Sequence, residues 1–265
     1  MRLRVPSVLA LAVTLALPSA VQAQGRDAYL LPVPSQQQLA TAVFGRSAPG
    51  IAASSPVGFG PNQGDVFAGF GFTPKAPGTG ESDGSLSVGG GFFNSSEVVG
   101  LEVVLTSLST FRSGFGSRTA AALKAHKIVR GWGVGLGVAN IELNGGTDAD
   151  PSIYAAATKT FSVKQDGPYF RNGSLNIGVG NGSFRFASAQ QNDESGVGLF
   201  LSSSIELNNW SSAIFDFSGG TTNLGLSLVP FGKLPLVMTA TMSDLTGEFG
   251  DKARLGLGAG MSWKY

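Results

Sequence analysis

The sequence predicts an all-β chain, a single antiparallel transmembrane β-barrel of about twelve strands. Three observations carry this. Apolar residues alternate with small or polar ones from Asp65 to Tyr265. The face opposite the apolar one is built from Gly, Ser, Thr and Asn with only scattered charge. No apolar run beyond the N-terminus approaches the length of about 20 residues that a spanning helix needs.

Period-2 alternation is the mark of strands with one apolar face. Val66, Ala68, Phe70 and Phe72 alternate with Phe67, Gly69 and Gly71. Leu86, Val88 and Phe92 alternate with Ser85, Ser87, Gly89 and Gly91. Val99, Leu101, Val103 and Leu105 share a face, with Glu102 and Thr106 opposite. Trp132, Val134, Leu136 and Val138 alternate with glycines. Val197, Leu199, Leu201 and Ile205 oppose Gly198, Ser202, Ser204 and Glu206. Leu224, Leu226 and Leu228 oppose Asn223, Gly225 and Ser227. All such segments together predict strands over 65–73, 84–93, 98–107, 118–128, 131–143, 152–163, 174–186, 197–207, 210–218, 221–229, 234–243 and 253–265. In 152–163 both faces carry apolar residues and Lys159 falls on the more apolar one. In 174–186 the phase flips at Gly180-Asn181-Gly182, which predicts a bulge.

An even strand count puts both chain ends on one side, with long extracellular loops after odd strands and short periplasmic turns after even ones. Pro74 to Asp83, Leu108 to Ser117, Asn144 to Pro151, Ala187 to Gly196 and Asp244 to Lys252 fit the long class. Val129-Arg130 and Asn208-Asn209 fit the short class. Lys164 to Gly173 is too long for its place and Gly219-Gly220 too short.

Composition decides between lipid and water outside. A soluble barrel turns its apolar face inward and covers the outside with charge. Only 13 % of the 265 residues are charged, against about 25 % in soluble domains. The 39 glycines and many serines suit a confined, wet lumen. With no cysteine there is no disulfide framework and no thiolate metal site.

Arg2 and Arg4, the apolar run Val8 to Leu17, and Val21-Gln22-Ala23 read as a cleavable signal peptide over 1–23. Its removal takes the balance of 18 cations and 17 anions to 16 and 17, which gives no reason to expect nucleic acid. Residues 24–64 are rich in Gln, Ser, Pro, Ala and Gly, with little periodicity. They read as a periplasmic extension with a short helix over Ser35 to Phe44, or alternatively as a plug folded into the barrel.

The last strand, Arg254 to Tyr265 (RLGLGAGMSWKY), sets Leu255, Leu257, Ala259, Met261, Trp263 and Tyr265 on one face. It resembles the C-terminal recognition strand of bacterial outer-membrane proteins. That resemblance implies an outer-membrane location, lipid contact, and a partner in the barrel-insertion machinery, which would read Tyr265 and its face. Ile214 to Phe231 (IFDFSGGTTNLGLSLVPF) also faintly resembles the hairpins of YjbH-type barrels associated with exopolysaccharide production.

Chemistry-bearing residues are sparse. Candidate lumen charges are Glu102, Lys124, His126, Glu206, Asp216, Arg254 and Lys264. They either line a narrow aqueous path or pair across the interior and seal it. His126, the single histidine, lies in Lys124-Ala125-His126-Lys127. The outer-membrane phospholipases resemble this chain in strand number, but their His–Ser arrangement has no counterpart near His126. A lumen hydrogen bond is the expected role, and no enzymatic activity and no cofactor are expected. Asp148 and Asp150 are acidic enough for calcium, though a solvated loop explains them as well. Gly133-Val-Gly135-Leu-Gly137 lacks the helix and lysine of a phosphate loop. Trp210, Trp263 and Tyr265 fall near strand ends, where aromatic girdles meet headgroups. The expected function is a narrow passive channel for small polar solutes or ions. The alternative is a sealed barrel serving the envelope or exopolysaccharide export.

Overall fold

Alternation becomes closure. In the computed structural model twelve strands run antiparallel, each paired with its sequence neighbours, and the last returns to the first. They are β1 (Asp65–Thr73), β2 (Asp83–Phe92), β3 (Gly100–Leu108), β4 (Arg118–Val129), β5 (Trp132–Asn144) and β6 (Ser152–Ser162). β7 (Asn172–Gly180), β8 (Gly198–Asn208), β9 (Ser211–Ser218), β10 (Thr221–Leu228), β11 (Leu236–Ser243) and β12 (Arg254–Lys264) follow. The structure describes residues 48–74, 81–108, 114–147, 150–164, 166–232, 234–249 and 253–265. The expected signal peptide, the helix over 35–44 and Asp148 lie outside the described residues.

Orientation follows the pattern. Leu86, Val88, Leu101, Leu105, Leu136, Ile153, Ile177, Leu199, Leu224 and Leu257 all face outward and are exposed. Their strand neighbours Ser85, Ser87, Glu102, Ser202, Asn223 and Ser227 point inward and are buried. A continuous apolar exterior is untenable in water. In lipid it is required, and closure satisfies the edge hydrogen bonds that lipid cannot. Lys159 does face outward, as its parity demands. It reaches the Arg130 and Gly131 carbonyls and sits 5.9 Å over the Trp132 ring, so its charge is carried to the strand end.

Leu136, 60 % exposed among the outward residues of β5, gives a direct test. Leu136→Arg is expected to cost about 2–4 kcal/mol in a urea titration of the lipid-folded barrel, against about 0–1 kcal/mol for the same residue at the strand-end position Asn144. Equal effects at the two sites would contradict the lipid-facing assignment.

Two connections depart from the expected lengths. Gly219 and Gly220 join β9 to β10 as a two-residue turn, both with positive φ (61° and 86°), the conformation that matches strand twist. Between β6 and β7 the long link starts as a continued hairpin, with the Val163 N–H donating to the Arg171 carbonyl at 2.8 Å.

The expected bulge in 174–186 is a correction. β7 ends at Gly180, and Gly182 takes φ +58 into a 3-10 turn over Gly182–Phe184. The phase flip marks a strand end because the chain folds over the mouth there, followed by the short helix α1 (Ala187–Gln191). Register shifts occur instead between β4 and β5, where Asn140 has φ +58, and beside Glu206 between β8 and β9.

Both Gly64 and Tyr265 lie at one rim, joined by the Tyr265 N–H to Gly64 carbonyl bond at 3.0 Å. We call it the proximal rim. The connections after even strands share it, and those after odd strands form the distal rim.

Candidate functional site in the barrel lumen

Every residue from 48 to 61 is buried, although none belongs to a strand. The segment lies inside the barrel. Ala48, Ile51, Ala52, Val57 and Phe59 cluster with one another, and its polar groups turn to the wall.

Near β8–β10 it is held at the proximal end. The Gly50 N–H donates to Ser227 Oγ at 2.8 Å, and Ser212 Oγ donates to the Gly50 carbonyl at 2.7 Å. The chain then rises to Asp216. Three consecutive amides, Ala53, Ser54 and Ser55, donate to Oδ2 at 3.1, 3.1 and 3.0 Å. The Ser54 and Ser55 hydroxyls donate to Oδ1 at 2.6 and 2.9 Å. Successive amides converging on one anion form a nest, and here the anion is a wall carboxylate.

Across the lumen, Asn176 Nδ2 donates to the Pro56 carbonyl at 3.0 Å and the Gly58 N–H donates to Thr158 Oγ1 at 2.8 Å. His126 Nε2 lies 3.1 Å from the Pro61 carbonyl, which can only accept, so that nitrogen carries a proton. Ser95 N–H donates to Asn62 Oδ1 at 2.8 Å and Gln63 N–H to the Phe93 carbonyl at 2.8 Å, back at the proximal rim. The segment is an arch from the β8–β10 wall to the β2–β5 wall.

Glycines make room for it. A Cβ on Gly58 would stand 2.1 Å from the Gly133 carbonyl, one on Gly133 2.4 Å from the Phe59 ring, and one on Gly91 2.3 Å from the Pro61 carbonyl. Gly91 of β2 and Gly133 of β5 are therefore the footprint of the arch.

The distal side narrows separately. Phe184 packs against Tyr154 and Phe200, with ring centroids 5.6 and 5.1 Å away. Phe200 and Tyr154 cover their cross-strand glycines Gly178 and Gly137. Arg185 tethers this inward turn: Nε donates to the Gly182 carbonyl at 3.0 Å, Nη1 to the Glu194 carbonyl, and Nη2 meets Asp150 Oδ2 at 2.5 Å. Asp150 is thus engaged with a cation, and no acidic cluster suited to a metal occurs among the described residues.

The other expected lumen charges are distributed as follows. Glu102 and Lys124 are buried side by side, Lys124 Nζ 2.5 Å from Glu102 Oε2. Glu206 is buried and accepts from Asn172 Nδ2 at 2.6 Å. Arg254 lies at the distal end of β12, 3.8 Å from Asp244. Lys264 is not in the lumen: its side chain is 71 % exposed at the proximal rim, 3.5 Å from Asp65. Trp210, Trp263 and Tyr265 are exposed at that same rim.

Sequence reasoning left the 48–61 contacts unplaced. One signal was available. Residues 47–64 contain no charge, between Arg46 and Asp65, so this stretch can enter a lumen without burying an ion.

A closed antiparallel barrel with an apolar exterior and a polar, occupied interior defines the class: the fold is that of a transmembrane β-barrel. Comparison with solved structures finds the KdgM porin, at 11 % identity and a TM-score of 0.43, covering 75 % of this chain and 99 % of that one. An outer membrane channel from Pseudomonas putida F1 is similar at 12 % identity and a TM-score of 0.43, covering 79 % and 97 %. A porin of Rh. blastica follows at 7 % identity and 0.30, covering 75 % and 99 %. No family model matches the chain, and comparison with curated proteins finds no match.

Proposed function

We propose that the chain is a channel for small polar solutes or ions, closed by its own segment 48–61 and opened when that segment withdraws. One observation carries this: the wall side chains that grip the arch are polar, Ser212, Asp216 and Ser227 on one side and Thr158, Asn176 and His126 on the other, beside the apolar Ile214 beneath Gly50. Hydrogen bonds between arch and wall exchange for bonds to water at a net cost of about 0.5–1.5 kcal/mol each, and about 1.5–3 kcal/mol where Asp216 accepts, so the contact is reversible. A barrel meant to stay filled packs apolar groups to the density of a core.

Planar-bilayer recording tests the reading. The full mature chain is expected to show rare, brief openings, and deletion of 48–63 to give sustained stepwise conductance. A deleted form that stays closed-barrelled by heat-modifiable gel mobility yet never conducts refutes it. That outcome favours the second reading, a sealed barrel serving the envelope or exopolysaccharide export, which draws support from the complete burial of 48–61. On either reading the exposed Trp210, Trp263 and Tyr265 serve at the headgroup level, and β12 is the element offered to the insertion machinery.

A further inference from the structure

We infer that Asp216 makes the opened pore select small cations. The inference rests on the channel reading above and names the class of solute that passes. All five hydrogen bonds to the Asp216 carboxylate come from Ala53, Ser54 and Ser55. No cation among the described residues stands within ion-pair distance of it. The side chain is fully buried, so in the closed state these donors take the place of solvent.

Withdrawal of the arch removes every one of them together. What remains is a carboxylate on β9 facing a hydrated lumen, with Asn223 and Ser202 as its cross-strand neighbours. Among the described residues, the other interior ion pairs cancel one another. Lys124 is matched by Glu102, Arg185 by Asp150 and Arg254 by Asp244. A fixed negative charge in a narrow aqueous passage between low-dielectric walls concentrates cations and repels anions. The residue that holds the arch when the pore is shut thus selects the solute when it is open.

Reversal potentials in a KCl gradient test this on the full mature chain. Gly58→Val, whose side chain runs into the Gly133 carbonyl, opens the pore with Asp216 intact and is expected to favour K⁺ over Cl⁻ on the order of tenfold. Asp216→Asn also frees the arch but leaves no carboxylate, and its preference is expected to fall toward unity. Asp216→Glu in the Gly58→Val chain should keep the preference. The same comparison between the 48–63 deletion with and without Asp216→Asn guards against a tethered arch obstructing the pore. Conductance without cation preference, or a preference that survives Asp216→Asn, overturns the assignment and leaves the channel reading standing. A folded deletion form with no conductance overturns both.

Discussion

Replacing Asp216 by alanine is expected to accelerate labelling of a cysteine at position 52 by about 10²–10³-fold, since each 1.4 kcal/mol of lost docking energy is a factor of ten. The native chain has no cysteine, so Ala52→Cys reports alone. Ala52 is fully buried in the arch and accepts or donates nothing at the Asp216 nest. Hydrogen bonds to a charged group contribute about 1.5–3 kcal/mol each, and a buried amide left without its acceptor costs about 1–3 kcal/mol. These terms overlap, and a net docking loss of about 3–4 kcal/mol is expected from removing all five at once. Ser55→Ala removes one hydroxyl donor and leaves the amides in place, so it should raise labelling only several-fold; Ser54→Ala also takes the acceptor from Asn223 Nδ2 and should raise it more. A water-soluble maleimide applied to the lipid-reconstituted barrel provides the measurement. Labelling of Ala52→Cys that is fast already, and unchanged by Asp216→Ala, would show that the carboxylate does not hold the arch.

Lys124→Met should destabilise the folded barrel by about 3–5 kcal/mol, because the Glu102 carboxylate is then left buried without its counter-ion. Both side chains are almost inaccessible, and the gap between them is 2.5 Å. The neighbouring cation on β4, Lys127, points outward and donates to the Glu97 and Val98 carbonyls, so it cannot substitute. Adding Glu102→Leu to Lys124→Met should recover most of the loss, since an apolar pair of similar volume often replaces a buried ion pair without cost. Urea midpoints of the two variants in vesicles decide the matter. A single variant as stable as the native chain would mean that water reaches Glu102 beside the arch.

Strands and their faces were legible because each strand has one neighbour that never changes, the lipid. It demands Leu86, Leu136 or Leu224 at every second position whatever lies inside. The strand ends that agree to within a residue or two, such as Asp65–Thr73 and Thr221–Leu228, are those where alternation stops at polar or glycine residues. The interior was less legible. Which of Glu102, Lys124, Glu206 and Asp216 meet depends on inter-strand register and on a segment more than 150 residues away in sequence, as with Ser55 and Asp216. Glycines posed the same difficulty. Gly133 and Gly91 read as mere free space, whereas each is the imprint of a backbone carbonyl or ring pressed against it. The end of β7 was misread because Phe184 is apolar and inward, which mimics a continuing strand while the backbone has already turned.

The arch enters beside Ser212 and Ser227 and leaves beside Phe93, and both places belong to the rim that carries Gly64. Among the described residues nothing is threaded. On the proposed gating, the described arch can therefore slip out the way it came without parting β1 from β12. Reopening costs only local solvation and contacts, never a refolding of the cylinder, and a stalled or mutant arch leaves the surrounding wall whole.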